Sequence, residues 1–99
     1  MLYRFSDQNL NEMWNLANLI KWLETKDPNE EYEFYHDREC LLGQYVRFCG
    51  FHNYGIGGWN CTLEGVNHEM PLVFGNIAAS EPRTFGDALS RAKKYSDIP

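Results

Sequence analysis

A segment rich in glycine and aromatic residues divides the chain and constrains its fold more than any other feature. Gly50–Asn60 contains four of the eight glycines, and the helical spacing of apolar residues stops where it begins. This density of glycine favours a loop. Beyond the loop, Trp59–Leu63 and Val66–Met70 flank the dipeptide Glu64-Gly65, a spacing typical of a β-hairpin. The sequence therefore predicts strands here and helices on both sides.

Helical periodicity predicts two helices before the loop. Apolar residues recur at helical spacing from about 7 to 25, and Asp27–Asn29 ends this first helix because proline disfavours helical geometry in the residue before it. The second helix is expected from about 38 to 49. Gly50 follows it where a left-handed C-terminal cap is needed.

Two further helices are predicted after the hairpin, a short one over 72–79 and a longer one that begins at Thr84. Thr84 and Asp87 approximate a capping box, in which the first turn of a helix is closed by side chains. Alternating aromatic residues over 31–36 indicate one more strand. Residues 1–99 are thus expected to form a single α+β domain, with three main helices and a short helix packed on a small antiparallel sheet.

The apolar faces of these elements predict the hydrophobic core. Its expected members are Leu10, Met13, Trp14, Ala17, Ile20, Leu23, Phe34, Leu41, Tyr45, Phe48, Phe74, Ile77, Phe85, Leu89 and Ala92. In a continuous first helix Trp22 falls opposite Met13. Its indole is then either covered by another element or available to a partner, so Trp22 is included among the candidate contact residues.

Negative charge is concentrated in one segment. The net charge of −5 argues against non-specific binding to nucleic acid, which depends on clustered Lys and Arg. Asp27–Glu39 contains six carboxylates and one basic residue, Arg38. Such a cluster is either a solvated loop or an acidic surface that binds a basic protein groove, as nucleic acid would. The candidate contact residues here are Glu30, Glu31, Glu33 and Asp37.

Aromatic residues of the glycine-rich loop form a second candidate surface. Tyr54 and Trp59 either cap a small core or contact a partner. An alternative function follows from the same residues, because an aromatic ring can stack on a nucleotide base while Arg83 or Arg91 binds its phosphate. The chain would then be a small-ligand binding protein.

The three cysteines indicate a reducing compartment. The chain has an odd number of cysteines, Cys40, Cys49 and Cys61, and their spacing is not that of a disulfide framework. This favours free thiols over disulfides. The first residues have neither the basic start nor the apolar stretch of a secretory signal, and no apolar run is long enough to span a bilayer. The predicted location is the cytoplasm.

One short segment resembles an enzyme. Glu39–Gly50, with Cys40 at the start of a helix, resembles the nucleophile helix of the NlpC/P60 papain-like peptidases. The resemblance implies a Cys40 nucleophile with His68 as its base. The alternative is that Cys40 is a small packing residue. No metal or cofactor is expected, since the histidines and cysteines show no ligand spacing such as Cys-x-x-Cys.

Across most of its length the chain resembles a type of short protein found in phage and prophage genomes, a group without an assigned activity. The resemblance lies in Trp22–Glu24, Tyr32–Tyr35, Cys40–Tyr45 and Thr84–Leu89. Small acidic phage proteins are often inhibitors of host complexes, anti-CRISPR proteins among them. The leading hypothesis is therefore a non-enzymatic protein that binds and inhibits a host complex such as a defence nuclease. It binds no nucleic acid directly and no membrane, and exposed aromatic residues would favour a homodimer.

Overall fold

A computed structural model describes residues 13–33, 40–52, 54–56, 60–63 and 65–96 of the chain. Within these ranges it contains four helices and one three-stranded antiparallel sheet, which confirms the predicted α+β fold. The helices are α1 (Leu16–Leu23), α2 (Leu41–Phe48), α3 (Leu72–Ala79) and α4 (Phe85–Ser96). The strands are β1 (Tyr54–Ile56), β2 (Asn60–Leu63) and β3 (Val66–Glu69).

The helix predicted from 7 to 25 is not continuous, because the chain is extended at Asn15. The backbone of Asn15 has φ −108° and ψ 127°, and its Oδ1 accepts hydrogen bonds from the amides of Ala17 at 2.8 Å and Asn18 at 3.3 Å. Asparagine is a favoured N-cap because its side chain satisfies amides that the first turn leaves unpaired. A new helix, α1, therefore begins here, and residues 7–12 lie outside the described ranges.

This interruption changes which face of α1 is buried. The side chains of Leu19, Trp22 and Leu23 are buried, whereas Ala17, which we predicted in the core, is exposed. The prediction assumed 100° per residue from Met13 onward. Because Asn15 is not helical, Met13 and the residues of α1 do not share one helical repeat. The buried face of α1 packs against α4.

Helix α2 ends as predicted, at a glycine with positive φ. Gly50 has φ 104°, and its amide donates to the carbonyl of Arg47 at 3.0 Å. The amide of Phe51 donates to the carbonyl of Val46 at 3.3 Å. These two bonds form a Schellman motif, which satisfies carbonyls that the last turn leaves unpaired. Residues 38 and 39 of the predicted helix lie outside the described ranges.

The sheet contains the predicted hairpin and one additional strand. β2 and β3 pair in antiparallel register across Gly65, which has φ 83°. β1 also pairs with β2, with Tyr54 opposite Leu63 and Ile56 opposite Cys61, so a loop throughout Gly50–Asn60 was a wrong prediction. Pairing with β2 and packing against α2 stabilise β1, and neither interaction is visible in local sequence. Trp59 and Glu64 lie outside the described ranges.

Most of the predicted core residues that the structure describes are buried at least in part, but more than half of the buried apolar residues, Leu19, Val46 and Leu63 among them, were not predicted. The predicted residues that are buried are Met13, Leu23, Leu41, Tyr45, Phe74, Ile77, Phe85 and Ala92. Four more, Trp14, Ile20, Phe48 and Leu89, are partly buried against this core. Leu10 and Phe34 lie outside the described ranges. The rings of Trp22 and Tyr45, with centroids 5.3 Å apart, join α1 to α2.

Candidate partner-binding surface

The acidic surface predicted from sequence lies in an extended stretch between α1 and α2. We call residues Asp27–Glu33 the acidic segment. Glu31 and Glu33 are exposed, while Tyr32 between them is buried, an alternation typical of extended backbone. Residues 31–33 form no strand, so in its described part the predicted strand over 31–36 is reduced to isolated bridges. Isolated bridges join Glu31 to Thr84 and Glu33 to Cys40. Residues 34–39, including Asp37 of the candidate surface, lie outside the described ranges.

Main-chain hydrogen bonds hold the acidic segment on the N-terminal end of α4. The amides of Phe85 and Gly86 donate to the carbonyls of Glu30 and Pro28, each at 3.0 Å. In the other direction, the amide of Tyr32 donates to the carbonyl of Arg83 at 3.0 Å. The first amides of a helix have no intrahelical acceptor, so the carbonyls of the segment satisfy groups that would otherwise require water or a ligand.

The remaining amides at this end of α4 are satisfied by the predicted cap. The amide of Asp87 donates to Oγ1 of Thr84 at 3.2 Å, and the amide of Ala88 donates to the Thr84 carbonyl at 2.9 Å. The Asp87 carboxylate accepts a bond from the Thr84 hydroxyl at 2.6 Å. The amides of the first four residues of α4 are therefore all bonded, which leaves this helix end without a free donor for a phosphate.

The carboxylates of the segment point into solvent without a cationic partner in the described part of the chain. Glu30, Glu31 and Glu33 are exposed, and none of them takes part in the ion pairs found there. Asp27 differs, since its Oδ1 accepts a hydrogen bond from the amide of Asn29 at 3.0 Å and so closes a local turn. Three exposed carboxylates on a fixed backbone can attract a basic surface.

Tyr32 anchors the segment from its buried side. Its hydroxyl donates to the carbonyl of Ala78 at 2.8 Å and accepts a hydrogen bond from Nη2 of Arg91 at 2.9 Å. Burial raises the pKa of Tyr32 above its ordinary value, and the positive charges of Arg91 and Arg83 act in the opposite direction. The phenol is therefore neutral at physiological pH and serves as a hydrogen-bonding anchor.

The two arginines proposed for a nucleotide phosphate bind main-chain carbonyls instead. Arg91 donates to the carbonyls of Ile77 and Pro82, and Arg83 donates to the carbonyl of Ala79 from Nε at 3.1 Å and Nη2 at 2.9 Å. Positive charge at the C-terminal end of α3 is stabilised by the helix dipole. This arrangement gives both side chains a structural role, and the nucleotide-binding alternative stays a prediction.

Trp22 does not belong to the partner surface and is corrected to a core residue. Its side chain is only 4% exposed and packs against the rings of Tyr45, Phe48 and Phe85. Nζ of Lys26 lies 5.1 Å from the centroid of the indole. A buried indole with four neighbours of this kind is unavailable to a protein partner. Tyr54 lies half-buried on β1, and Trp59 is outside the described ranges.

Cys40 and His68, the nucleophile and base of the hydrolase alternative, lie on different elements. Cys40 caps α2, where its Sγ accepts a hydrogen bond from the amide of Gly43 at 3.2 Å, and it is buried. His68 lies on β3 directly opposite Cys61. Helix α2 packs against β1, and β1 and β3 are opposite edges of the sheet, about 10 Å apart.

The thiols of Cys49, at the C-terminal end of α2, and of Cys61, on β2, are not activated. Burial raises the pKa of Cys61 to about 11 and that of Cys49 to about 12, so both remain protonated at neutral pH. No group of three or more potential metal ligands occurs among the residues that the structure describes.

Comparison of the chain with protein-family models, with curated proteins and with solved structures found no match. None of the helices in the described ranges is both long and apolar enough to cross a membrane.

Sequence reasoning located the acidic residues but missed what holds them in place. Pro28 and Glu30 are bonded to residues of α4 that are more than fifty positions away, and no local pattern encodes such a pairing. One signal was available. The capping box at Thr84 and Asp87 satisfies only part of the first turn, so the amides of Phe85 and Gly86 required acceptors from elsewhere.

Proposed function

We propose that this protein is a non-enzymatic binding protein that uses the acidic segment to bind a basic surface of a protein partner. The observation that carries the proposal is the exposure of Glu30, Glu31 and Glu33, unpaired with any described cation, on a backbone bonded to α4. Clustered like charges on a protein surface speed the approach of an oppositely charged partner.

The fixed backbone supports binding in a second way. A flexible acidic loop loses conformational entropy when a partner orders it, and that loss reduces affinity. Three hydrogen bonds to α4 and Arg83, together with the buried side chain of Tyr32, order the acidic segment before any partner arrives. Binding therefore does not include the entropy cost of ordering this segment, and the affinity is higher than that of a flexible loop with the same charges.

The resemblance to short phage proteins supplies the proposed setting. We place the protein in the cytoplasm of a bacterial host, where it occupies a basic groove of a host complex, such as a defence nuclease, that otherwise binds nucleic acid. Carboxylates resemble phosphates in charge, so such a groove is a suitable target. Asp37, which follows the acidic segment in sequence, and Tyr54 and Trp59 of the second candidate surface stay predicted contact residues of the same partner.

The test compares two variants that have the same net charge. Glu30→Lys, Glu31→Lys and Glu33→Lys reverse the surface together, while Glu24→Lys, Glu69→Lys and Glu81→Lys reverse three exposed carboxylates elsewhere. Glu24 and Glu81 form exposed ion pairs with Lys93 and Arg83, and the loss of such pairs costs about 1 kcal/mol or less. Tagged wild-type protein and both variants are used to capture proteins from bacterial lysate, which are identified by mass spectrometry.

We expect a stoichiometric protein partner on the wild-type protein and on the control variant, but not on the reversed surface. With the purified partner, the association rate should fall about tenfold or more on reversal, and the difference should shrink at high salt. Equal capture by all three proteins, or no partner on the wild-type protein, would contradict the proposal.

A further inference from the structure

We infer that Gly86 is a positioning residue for the acidic segment, because the absence of a side chain allows the first turn of α4 to hold Pro28 in place. Gly86 lies far from the carboxylates in sequence and carries no charge. Its role is to permit a close approach between two main chains.

The space beside Gly86 is filled by Pro28. A Cβ atom at position 86 would lie 2.8 Å from Cβ of Pro28 and 2.8 Å from its carbonyl oxygen. Cα of Pro28 would be only 3.2 Å away. Two of these three atoms belong to the main chain and the third to a rigid ring, so no change of rotamer relieves the overlap. Any larger residue at position 86 must displace the backbone of Pro28.

Displacing Pro28 disturbs the bonds that orient the carboxylates. The carbonyl that a new Cβ would meet is the acceptor for the amide of Gly86, at 3.0 Å. The adjacent bond, from the amide of Phe85 to the carbonyl of Glu30, depends on the same approach. The orientation of Glu30 and Glu31 is therefore controlled from α4. The functional consequence of this inference rests on the function proposed above.

The experiment compares Gly86→Ala with Gly55→Ala, whose new Cβ would meet nothing within 4 Å. Alanine is a better helix former than glycine, so the substitution does not weaken α4 itself. Amide hydrogen exchange and amide chemical shifts are measured by NMR on the full chain.

In Gly86→Ala the amides of residues 85 and 86 should exchange at least about tenfold faster, as expected when local hydrogen bonds open. The amide signals of Glu30, Glu31 and Glu33 should shift, while those of α2 and β2 keep their positions and protection. Gly55→Ala should produce none of these changes.

Unchanged protection at residues 85 and 86 would overturn the inference. Loss of protection throughout α2 and β2 would also overturn it, since the substitution would then act on the whole core. The proposed function is judged separately. If Gly86→Ala releases the segment as expected but binds the partner with unchanged affinity, Gly86 still positions the segment and its prior ordering does not contribute to binding, while the charge reversal alone decides whether the acidic surface is the contact.

Discussion

Arg91 and the carbonyl of Ile77 form a two-point contact, with Nε at 3.1 Å and Nη2 at 2.8 Å from the oxygen. The same guanidinium reaches the carbonyl of Pro82 through Nη1 at 2.9 Å and the hydroxyl of Tyr32 through Nη2 at 2.9 Å. One side chain on α4 thus connects the C-terminal end of α3 to the anchor of the acidic segment. The planar fork of arginine suits this role, since it donates in several directions at once.

Arg91→Lys should therefore lower the free energy of unfolding by about 1–3 kcal/mol, because a single ammonium cannot replace the fork and leaves partly buried carbonyls unpaired. Urea denaturation monitored by tryptophan fluorescence measures the change. Lys94→Ala, at an exposed position on the same helix, is the control and should alter stability by less than about 0.5 kcal/mol. Equal losses in the two variants would contradict a structural role for Arg91.

Tyr45→Phe removes a buried hydrogen bond without creating a large cavity. The Tyr45 hydroxyl donates to the carbonyl of Met13 at 2.6 Å. Loss of the donor leaves that carbonyl unpaired, so we expect a destabilisation of about 1–2 kcal/mol in urea denaturation. Tyr95→Phe, at a residue that is 38% exposed, should have almost no effect. If Tyr45→Phe leaves the free energy of unfolding unchanged, the hydrogen bond to Met13 does not contribute to stability.

Thiol alkylation separates the hydrolase alternative from a packing role for the cysteines. All three cysteines are in the thiol form and buried, so iodoacetamide at pH 7.5 should react slowly with Cys40, Cys49 and Cys61 in the folded protein. Unfolding in urea should accelerate all three reactions. Peptide mass spectrometry assigns each site. Selective, rapid modification of Cys40 in the folded chain would favour a catalytic thiol instead.

Stability should decline at alkaline pH. Burial raises the pKa of Cys61 from 9.0 to about 11, so between these two values the unfolded chain releases its proton while the folded chain retains it. The unfolded state then binds fewer protons, and the free energy of unfolding falls as pH rises. Cys49 and Tyr45, whose pKa values are also raised by burial, act in the same direction.

Urea denaturation at a series of pH values measures this decline. Cys61→Ala lacks one of the titrating groups, so its stability should fall less steeply between pH 9 and 11. Identical slopes for the variant and the wild-type protein would exclude Cys61 as a contributor.

The sequence predicted those elements whose signals are local. Gly50, as the residue of positive φ after α2, and Thr84, as the cap of α4, follow from the chemistry of one turn. The hairpin around Gly65 follows from its spacing in the same way. Each of these predictions needed only a few adjacent residues.

The predictions that were wrong depended on features that no local pattern shows. These features are an interruption of a helix and contacts between residues distant in sequence. Trp22 was included among the contact residues because a continuous helix puts it opposite Met13; the extended backbone at Asn15 shifts the helical phase, and the other alternative, a covered indole, is the one observed. β1 was missed because its stability comes from pairing with β2. In the candidate site, the exposure of Glu30 was predictable from charge, whereas its bond to Phe85 was not.

The packing of α1 against α4 has a consequence for biosynthesis. Phe85, Ala88 and Ala92 complete the core that Leu19, Trp22 and Leu23 begin, although some sixty residues separate the two helices along the chain. A nascent chain that ends at the hairpin contains the rings of α2 that contact Trp22, but it lacks the α4 side chains against which α1 packs. Complete burial of the apolar face of α1 therefore follows the synthesis of α4, because it depends on contacts of high sequence separation.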